Sequence, residues 1–175
     1  MRCLVTGGTG FIGSNIALAL QEMGHQVIIT GNESEQPLPE FTGERLYPGL
    51  TGIDWTRLGN IDILFHQAAM NNTRHMDRRE MLHGNLHGSV QLFRKVAEGG
   101  CRRIVYASTT AVYGRNRAPY REEGPFDLNT PYAESKKLLE EAADGIGNEF
   151  PGLITVGLRY CNVYGPRENH KGSRS

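Results

Sequence analysis

Tyr132 and Lys136 stand four residues apart in a stretch with helical character running from Thr130 to about Asn148. That spacing puts a phenol and an ammonium on one helix face. A tyrosine working as acid or base near neutral pH needs its pKa lowered about three units from ~10, which costs roughly 4 kcal/mol. One cation about 4 Å away, at an effective dielectric of ~20, supplies that much. The pair therefore suits proton transfer to and from an alcohol that becomes a ketone. Thr109, within Ser108-Thr109-Thr110, offers a hydroxyl to hold the same oxygen. The Tyr-Lys spacing alone is weak, because an amphipathic helix with a surface lysine gives the same match.

A second signal lies at the other end of the chain. Gly8-Thr9-Gly10-Phe11-Ile12-Gly13, preceded by Gly7, is a GxGxxG string. It follows a short apolar run, Arg2–Thr6, and opens a segment whose Ile12, Ile16, Ala19, Leu20 and Met23 share a helix face. In that setting the glycines make a tight turn, and the helix N-terminus offers free N–H groups to a pyrophosphate. Such folds place an acid about 20 residues further on to hold the adenosine ribose. Here the second strand ends Ile29-Thr30-Gly31-Asn32-Glu33: Gly31 is bare, Glu33 is late, and no Arg or Lys stands nearby for a 2′-phosphate. NAD and NADP both stay open as cofactors. His83 and His87 share a helix face but have no third ligand in view, so they read as a partly exposed face and no metal is expected.

These groups need elements to position them. Apolar runs at Arg2–Thr6, Gln26–Thr30, Ile61–His66, Arg102–Ala107 and Leu153–Leu158 alternate with helical stretches at Phe11–Met23, Asp77–Glu98 and Thr130–Asn148. A short strand is also expected at Arg45–Tyr47. Thr130 and Pro131 suit an N-cap and first helical position. The pattern predicts an α/β fold, a doubly wound parallel sheet covered on both faces, with residues 1–175 as one dinucleotide-binding domain. The 175 residues suffice for a core without disulfide or metal staples. Lys plus Arg and Asp plus Glu both number 19, which disfavours a broad nucleic-acid surface. Cys3, Cys101 and Cys161 are scattered, as in a reducing compartment. No apolar run approaches the ~20 residues of a membrane span, and Met1 leads straight into a strand. A soluble cytoplasmic protein is the expectation.

Together these residues resemble the extended short-chain dehydrogenase/reductase family of sugar-nucleotide epimerases and dehydratases. The resemblance runs through Thr6–Gly13, His66-Gln67-Ala68-Ala69, Asn85-Leu86-His87-Gly88-Ser89, Ser108–Gly114, Tyr132 with Lys136, and Arg159–Arg167. It implies a Rossmann fold, an NAD or NADP cofactor, and transient oxidation of a nucleotide sugar to a ketone. It assigns Tyr132 as catalytic acid/base, Lys136 as its partner and ribose ligand, and Thr109 as the catalytic hydroxyl. Gly7, Gly10, Phe11, Ile12, Gly13, Asn32, Ala68, Ala69, Asn85 and Val163 would line the cofactor. Thr109, Asn162 and Ser173 would meet the substrate. The family's ribose-binding acid aligns with Gly31, a departure.

The tail, Asn162 to Ser173, is similar to that of the ADP-L-glycero-D-manno-heptose 6-epimerases within this family, and by that similarity Lys171 would be a second base on the face opposite Tyr132. UDP-hexose or UDP-uronate 4-epimerases share the motifs up to Tyr164. Dehydratases carry an Asp-Glu pair that Thr110-Ala111 lacks. Family members continue into a smaller domain closing over the sugar, so the resemblance implies that this chain stops where that region begins and turns over little by itself. A dinucleotide-binding module without catalysis is the reading from another class. A homodimer is implied by analogy only.

Overall fold

The computed structural model describes residues 1–31, 38–47, 53–54, 58–71 and 77–168. The first βαβ unit is β1 (Arg2–Thr6), α1 (Phe11–Glu22) and β2 (Gln26–Thr30). Gly24 ends α1 with φ +78, a left-handed conformation that glycine adopts without strain. A short β3 (Glu44–Leu46) and β4 (Ile63–His66) follow. Next comes α2 (Arg78–Leu82), which runs through one π turn (His83–His87) into α3 (Gly88–Glu98). The second half is β5 (Arg103–Thr109), a 3₁₀ turn (Thr110–Tyr113), α4 (Pro131–Glu149) and β6 (Ile154–Tyr160).

The strands form one six-stranded sheet in the order β3-β2-β1-β4-β5-β6, and every neighbouring pair is parallel. The chain starts in the middle, at β1, and winds outward in both directions. A crevice therefore opens at the carboxyl ends of β1 and β4, where the order reverses. Alternation along each strand divides the core. Val5 and Ile29 pack with Ala17 of α1 on one face. Leu4, Leu64 and Ile104 pack with Leu92 and Phe93 of α3 and Leu139 of α4 on the other. Each such buried aliphatic contributes roughly 1.5–3 kcal/mol relative to exposure.

Three sequence expectations need correction. The stretch 77–98 is not one regular helix. Asp77 caps it, its Oδ1 accepting from Glu80 N at 2.9 Å, but the π turn widens the coil around buried Asn85. Wider turns of this kind arise where a side chain must be aimed inward. β4 begins at Ile63 rather than Ile61, and Asp62 just before it accepts from Arg2 N through Oδ2 at 2.7 Å. Last, among the described residues β6 is only partly covered on the face opposite α4. Thr155 and Arg159 face α4, while Ile154, Val156 and Leu158 point the other way and are 52, 41 and 39% exposed.

Candidate active site

The glycine turn ends β1 and begins α1. Gly7 has φ +66, and a Cβ there would sit 2.9 Å from Ala68 N, the backbone that follows β4. A Cβ on Gly13 would come within 2.1 Å of Gly7 O, so α1 packs directly on the turn. Gly10 caps the helix without a side chain, and the first turn carries no acid. The N-terminus of α1 thus opens at the carboxyl end of β1, the end of a helix that suits an anion. The turn from Gly7 to Gly13 meets the backbone at Ala68, next to Ala69. This glycine cradle at a helix N-terminus fits the pyrophosphate of a dinucleotide. Asn32, Lys171 and Ser173 lie outside the described residues.

Behind the cradle runs a hydrogen-bonded chain that no local sequence pattern announces. Ser89 Oγ donates to Asn85 O at 2.8 Å, which leaves its lone pairs to accept. His66 Nε2 lies 2.8 Å from that Oγ and Nδ1 lies 2.7 Å from Thr6 Oγ1. These contacts assign the tautomer: Nε2–H donates to Ser89 and Nδ1 accepts from Thr6. Thr6 Oγ1 in turn accepts from Ala68 N at 3.3 Å. Burial, then the Lys136 charge, hold the imidazole neutral with a pKa lowered to about 3. Asn85 accepts from Met70 N at 2.7 Å and donates to Met70 O at 3.0 Å and Ser135 Oγ at 3.2 Å. It therefore ties the loop after β4 to the helix that bears Tyr132.

On α4, Lys136 is fully buried and its Nζ donates to Ala107 O at 2.9 Å. Desolvation lowers its pKa to about 8. The Nζ stands 5.9 Å from the centre of the Tyr132 ring. Thr109, at the end of β5, hydrogen-bonds the Tyr132 phenol in the sense that favours phenolate. Burial outweighs that bond and leaves the Tyr132 pKa above its ordinary value. The sequence argument that Lys136 alone pulls the phenol down does not hold in this structure. The ammonium is itself depressed by burial and lies toward the ring. Additional positive charge in the crevice would move the phenol back down.

The sequence reading missed Glu140, one turn beyond Lys136. Its carboxylate accepts from Arg159 Nε and Nη2 at 2.9 and 2.8 Å and from Ser108 Oγ at 2.5 Å. Burial raises its pKa, but the bonds from Arg159 and Ser108 win and leave it below the usual carboxylate range. Arg159 Nη1 also donates to Tyr113 Oη and Glu122 O, each at 2.8 Å. Tyr160 Oη donates to Gln67 Oε1 at 3.1 Å, joining β6 to the end of β4. An acid four residues after Lys136 was the available signal. Asn162 and Val163 follow β6 at the same sheet edge, Asn162 exposed and Val163 half-buried. The tail returns to α1, where Asn15 Nδ2 donates to Pro166 O at 2.9 Å. The His83 and His87 rings lie 6.1 Å apart. Among the described residues no cluster of three metal-ligating side chains forms, and no helix is long and apolar enough to cross a membrane.

The model of the NAD dependent epimerase/dehydratase family matches residues 3–175. The chain belongs to this family. Its parallel, doubly wound sheet is the Rossmann architecture of the epimerase/dehydratase structures it resembles. A UDP-N-acetylglucosamine 4-epimerase from Methanobrevibacter ruminantium M1, in complex with UDP-N-acetylmuramic acid, is 30% identical with a TM-score of 0.86. It is matched over 95% of this chain and 56% of its own. The ADP-L-glycero-D-manno-heptose-6-epimerase of Helicobacter pylori is also 30% identical, with a TM-score of 0.84, over 98% of this chain and 58% of its own. MoeE5, solved with UDP-glucose and NAD, is 28% identical with a TM-score of 0.86, over 95% of this chain and 56% of its own. This epimerase/dehydratase chain thus spans a little over half the length of these relatives.

Proposed function

We propose that the chain is the dinucleotide-binding half of a sugar-nucleotide epimerase that oxidises a carbinol transiently to a ketone. One observation carries this: Tyr132, Lys136 and Thr109 converge at the carboxyl edge of the sheet beside the glycine cradle. Bound NAD or NADP supplies a hydride acceptor that can return the hydride, and its oxidised ring adds positive charge to the crevice. Tyr132 accepts the carbinol proton and gives it back. Thr109 holds the same oxygen as its geometry changes from alcohol to ketone. Lys136, fixed by Ala107 O, supplies charge on the buried side of the phenol. Asn85 holds the helix register that presents Tyr132, through Ser135, whose Oγ donates to Tyr132 O at 2.8 Å.

The substrate class is a nucleoside-diphosphate sugar. The reading as an ADP-heptose 6-epimerase rests on the string Arg167-Glu168-Asn169-His170-Lys171-Gly172-Ser173, with Lys171 as a second base and Ser173 at the sugar. The 4-epimerase reading stands beside it, because identity to the Methanobrevibacter 4-epimerase is the same 30% as to the Helicobacter heptose epimerase.

The test is to incubate the chain with NAD or NADP and, separately, ADP-heptose, UDP-glucose and UDP-glucuronate, following C6 and C4 epimers by NMR. Conversion of one sugar that falls at least ~100-fold in Tyr132→Phe, with dinucleotide binding retained, is the expected result for a lost general acid/base. Conversion unchanged in Tyr132→Phe overturns the assignment.

A further inference from the structure

Tyr132, Lys136 and Glu140 follow one another at four-residue steps along α4, so they share one helix face. Each is tied to a different one of three consecutive residues of β5. Thr109 hydrogen-bonds the Tyr132 phenol. Lys136 Nζ donates to Ala107 O at 2.9 Å, and Ser108 Oγ donates to Glu140 Oε1 at 2.5 Å. In the β5–β6 register Ser108 lies opposite Arg159, so a single buried carboxylate reaches both. Lys137 Nζ stands 3.9 Å from the same carboxylate as a second cation. The acid four residues after Lys136 is therefore joined to the strands, while Lys136 itself is turned to a carbonyl.

Resting on the acid/base site proposed above, we infer that Glu140 is a positioning residue for it: by gripping Ser108 it holds the end of β5 against α4, so that the Thr109 hydroxyl meets the Tyr132 phenol. One planar peptide separates Ser108 from Thr109, so what holds the first limits the second. The hold is needed because the Thr109 hydroxyl has a competing partner. Its Oγ1 also accepts from Ala111 N at 3.1 Å, which draws it toward the 3₁₀ turn. The β5–β6 ladder fixes Thr109 opposite Tyr160, which sets it relative to β6 and not relative to the helix that bears Tyr132. The bonds to Lys136 and Glu140 supply that second reference, and the one to Glu140 lies nearer to Thr109 in the chain.

The experiment labels the tyrosines of the chain with carbon-13 at Cζ and follows the Tyr132 resonance by NMR from neutral to alkaline pH. Loss of the signal in Tyr132→Phe identifies it, and thermal melts show which variants fold. Thr109→Ala gives the displacement that follows when the bond to the phenol is lost. Ser108→Ala cuts the tie and leaves the Glu140–Arg159 pair in place, so it carries the test even if Glu140→Ala does not fold. Ser108→Ala and folded Glu140→Ala should each displace the resonance in the same direction as Thr109→Ala. Ile146→Val loosens the core side of the same helix and should leave it where it is. Affinity for NAD and NADP should stay within about threefold in Ser108→Ala, because the glycine cradle is untouched. Sugar conversion should lose kcat with KM little changed, and its pH profile should move as in Thr109→Ala. A Tyr132 resonance that stays in place in Ser108→Ala, or in folded Glu140→Ala, while moving in Thr109→Ala overturns the inference and leaves the acid/base site standing. So does an equal displacement in Ile146→Val, which would make the effect a general loosening. If Thr109→Ala leaves the resonance in place, the Tyr132–Thr109 pair of the proposed site falls, and this inference with it. Displacements as expected without conversion of any sugar nucleotide overturn the proposed reaction and leave the positioning role of Glu140 standing.

Discussion

Glu140 and Arg159 meet between α4 and β6 through two parallel hydrogen bonds, Nε to Oε1 at 2.9 Å and Nη2 to Oε2 at 2.8 Å. The carboxylate also holds Ser108, next to Thr109, and the guanidinium also holds Tyr113 and the loop carbonyl of Glu122. One ion pair thus fixes the ends of β5 and β6 and the loop beside the crevice. Removing the acid strands a largely buried cation. Glu140→Ala should therefore cost roughly 2–4 kcal/mol, at or below the ~3–5 kcal/mol of a fully buried pair because both groups retain some solvent contact. At about 2–4 °C per kcal/mol for a chain of this size, the melting temperature should fall by ~5–15 °C. A fall under ~3 °C would show that the pair does not organise this edge. Arg159→Lys should not substitute, since a single ammonium cannot make the two-pronged contact.

Lys136 should be a functional group that the fold would be more stable without. Burial lowers its pKa from 10.5 to about 8, so below pH 8 the folded chain carries a desolvated ammonium. The cost is roughly 3 kcal/mol, at ~1.4 kcal/mol per pH unit. Between about pH 8 and 10.5 the unfolded chain binds more protons than the folded one, so this penalty lifts as pH rises. Lys136→Met also forgoes the bond to Ala107 O, worth ~1 kcal/mol. The variant should melt a few degrees above the parent at pH 7, with the gap closing by pH 10. A variant less stable than the parent at pH 7 contradicts this.

His66 should make the fold acid-sensitive. Its folded pKa of about 3 lies below the ordinary 6.5. Its contribution is present in full above pH 6.5 and is lost as pH falls toward 3, with a limiting slope of ~1.4 kcal/mol per pH unit. His66→Gln retains an acceptor for Thr6 and a donor for Ser89 but cannot titrate. Urea unfolding at several pH values should show a shallower decline between pH 6 and 4 in the variant. Parallel declines would assign the acid sensitivity to other groups.

Thr109→Ala should remove the one bond that favours the Tyr132 phenolate. Its loss also frees Ala111 N, which donates to Thr109 Oγ1 at 3.1 Å. Epimerase turnover should fall ~10- to 100-fold, with its basic limb moved to higher pH. Thr109→Ser should restore both. A rate loss without any pH displacement would make Thr109 a cap for the 3₁₀ turn rather than a partner of Tyr132.

The glycine turn, the strand and helix order and the Tyr132–Lys136 pair were legible because each is a local pattern. Thr130 caps α4 as read, its Oγ1 accepting from Ala133 N at 3.1 Å, because capping chemistry spans only a few residues. The Thr6–His66–Ser89–Asn85 chain was not legible. Thr6 and His66 are 60 residues apart and meet only because β1 pairs with β4 in a particular register. The π turn at Asn85 stayed hidden as well, since the Met70 backbone that Asn85 holds lies 15 residues away in the chain. Glu140 looked like an ordinary helix-surface acid until Arg159 arrived from β6. The pKa of Tyr132 failed as a sequence argument because spacing gives proximity but not burial.

Among the described residues, Ile154, Val156 and Leu158 form a partly exposed apolar row on the last strand of the sheet. A parallel edge with an oily flank is a template for another extended segment. Positive and negative side chains balance at 19 each, so no long-range repulsion keeps two such edges apart near neutral pH. In concentrated solution the colloidal behaviour of this chain should be governed by that flank: turbid near pH 7, and clearer at pH 9 or with a charge placed at Val156.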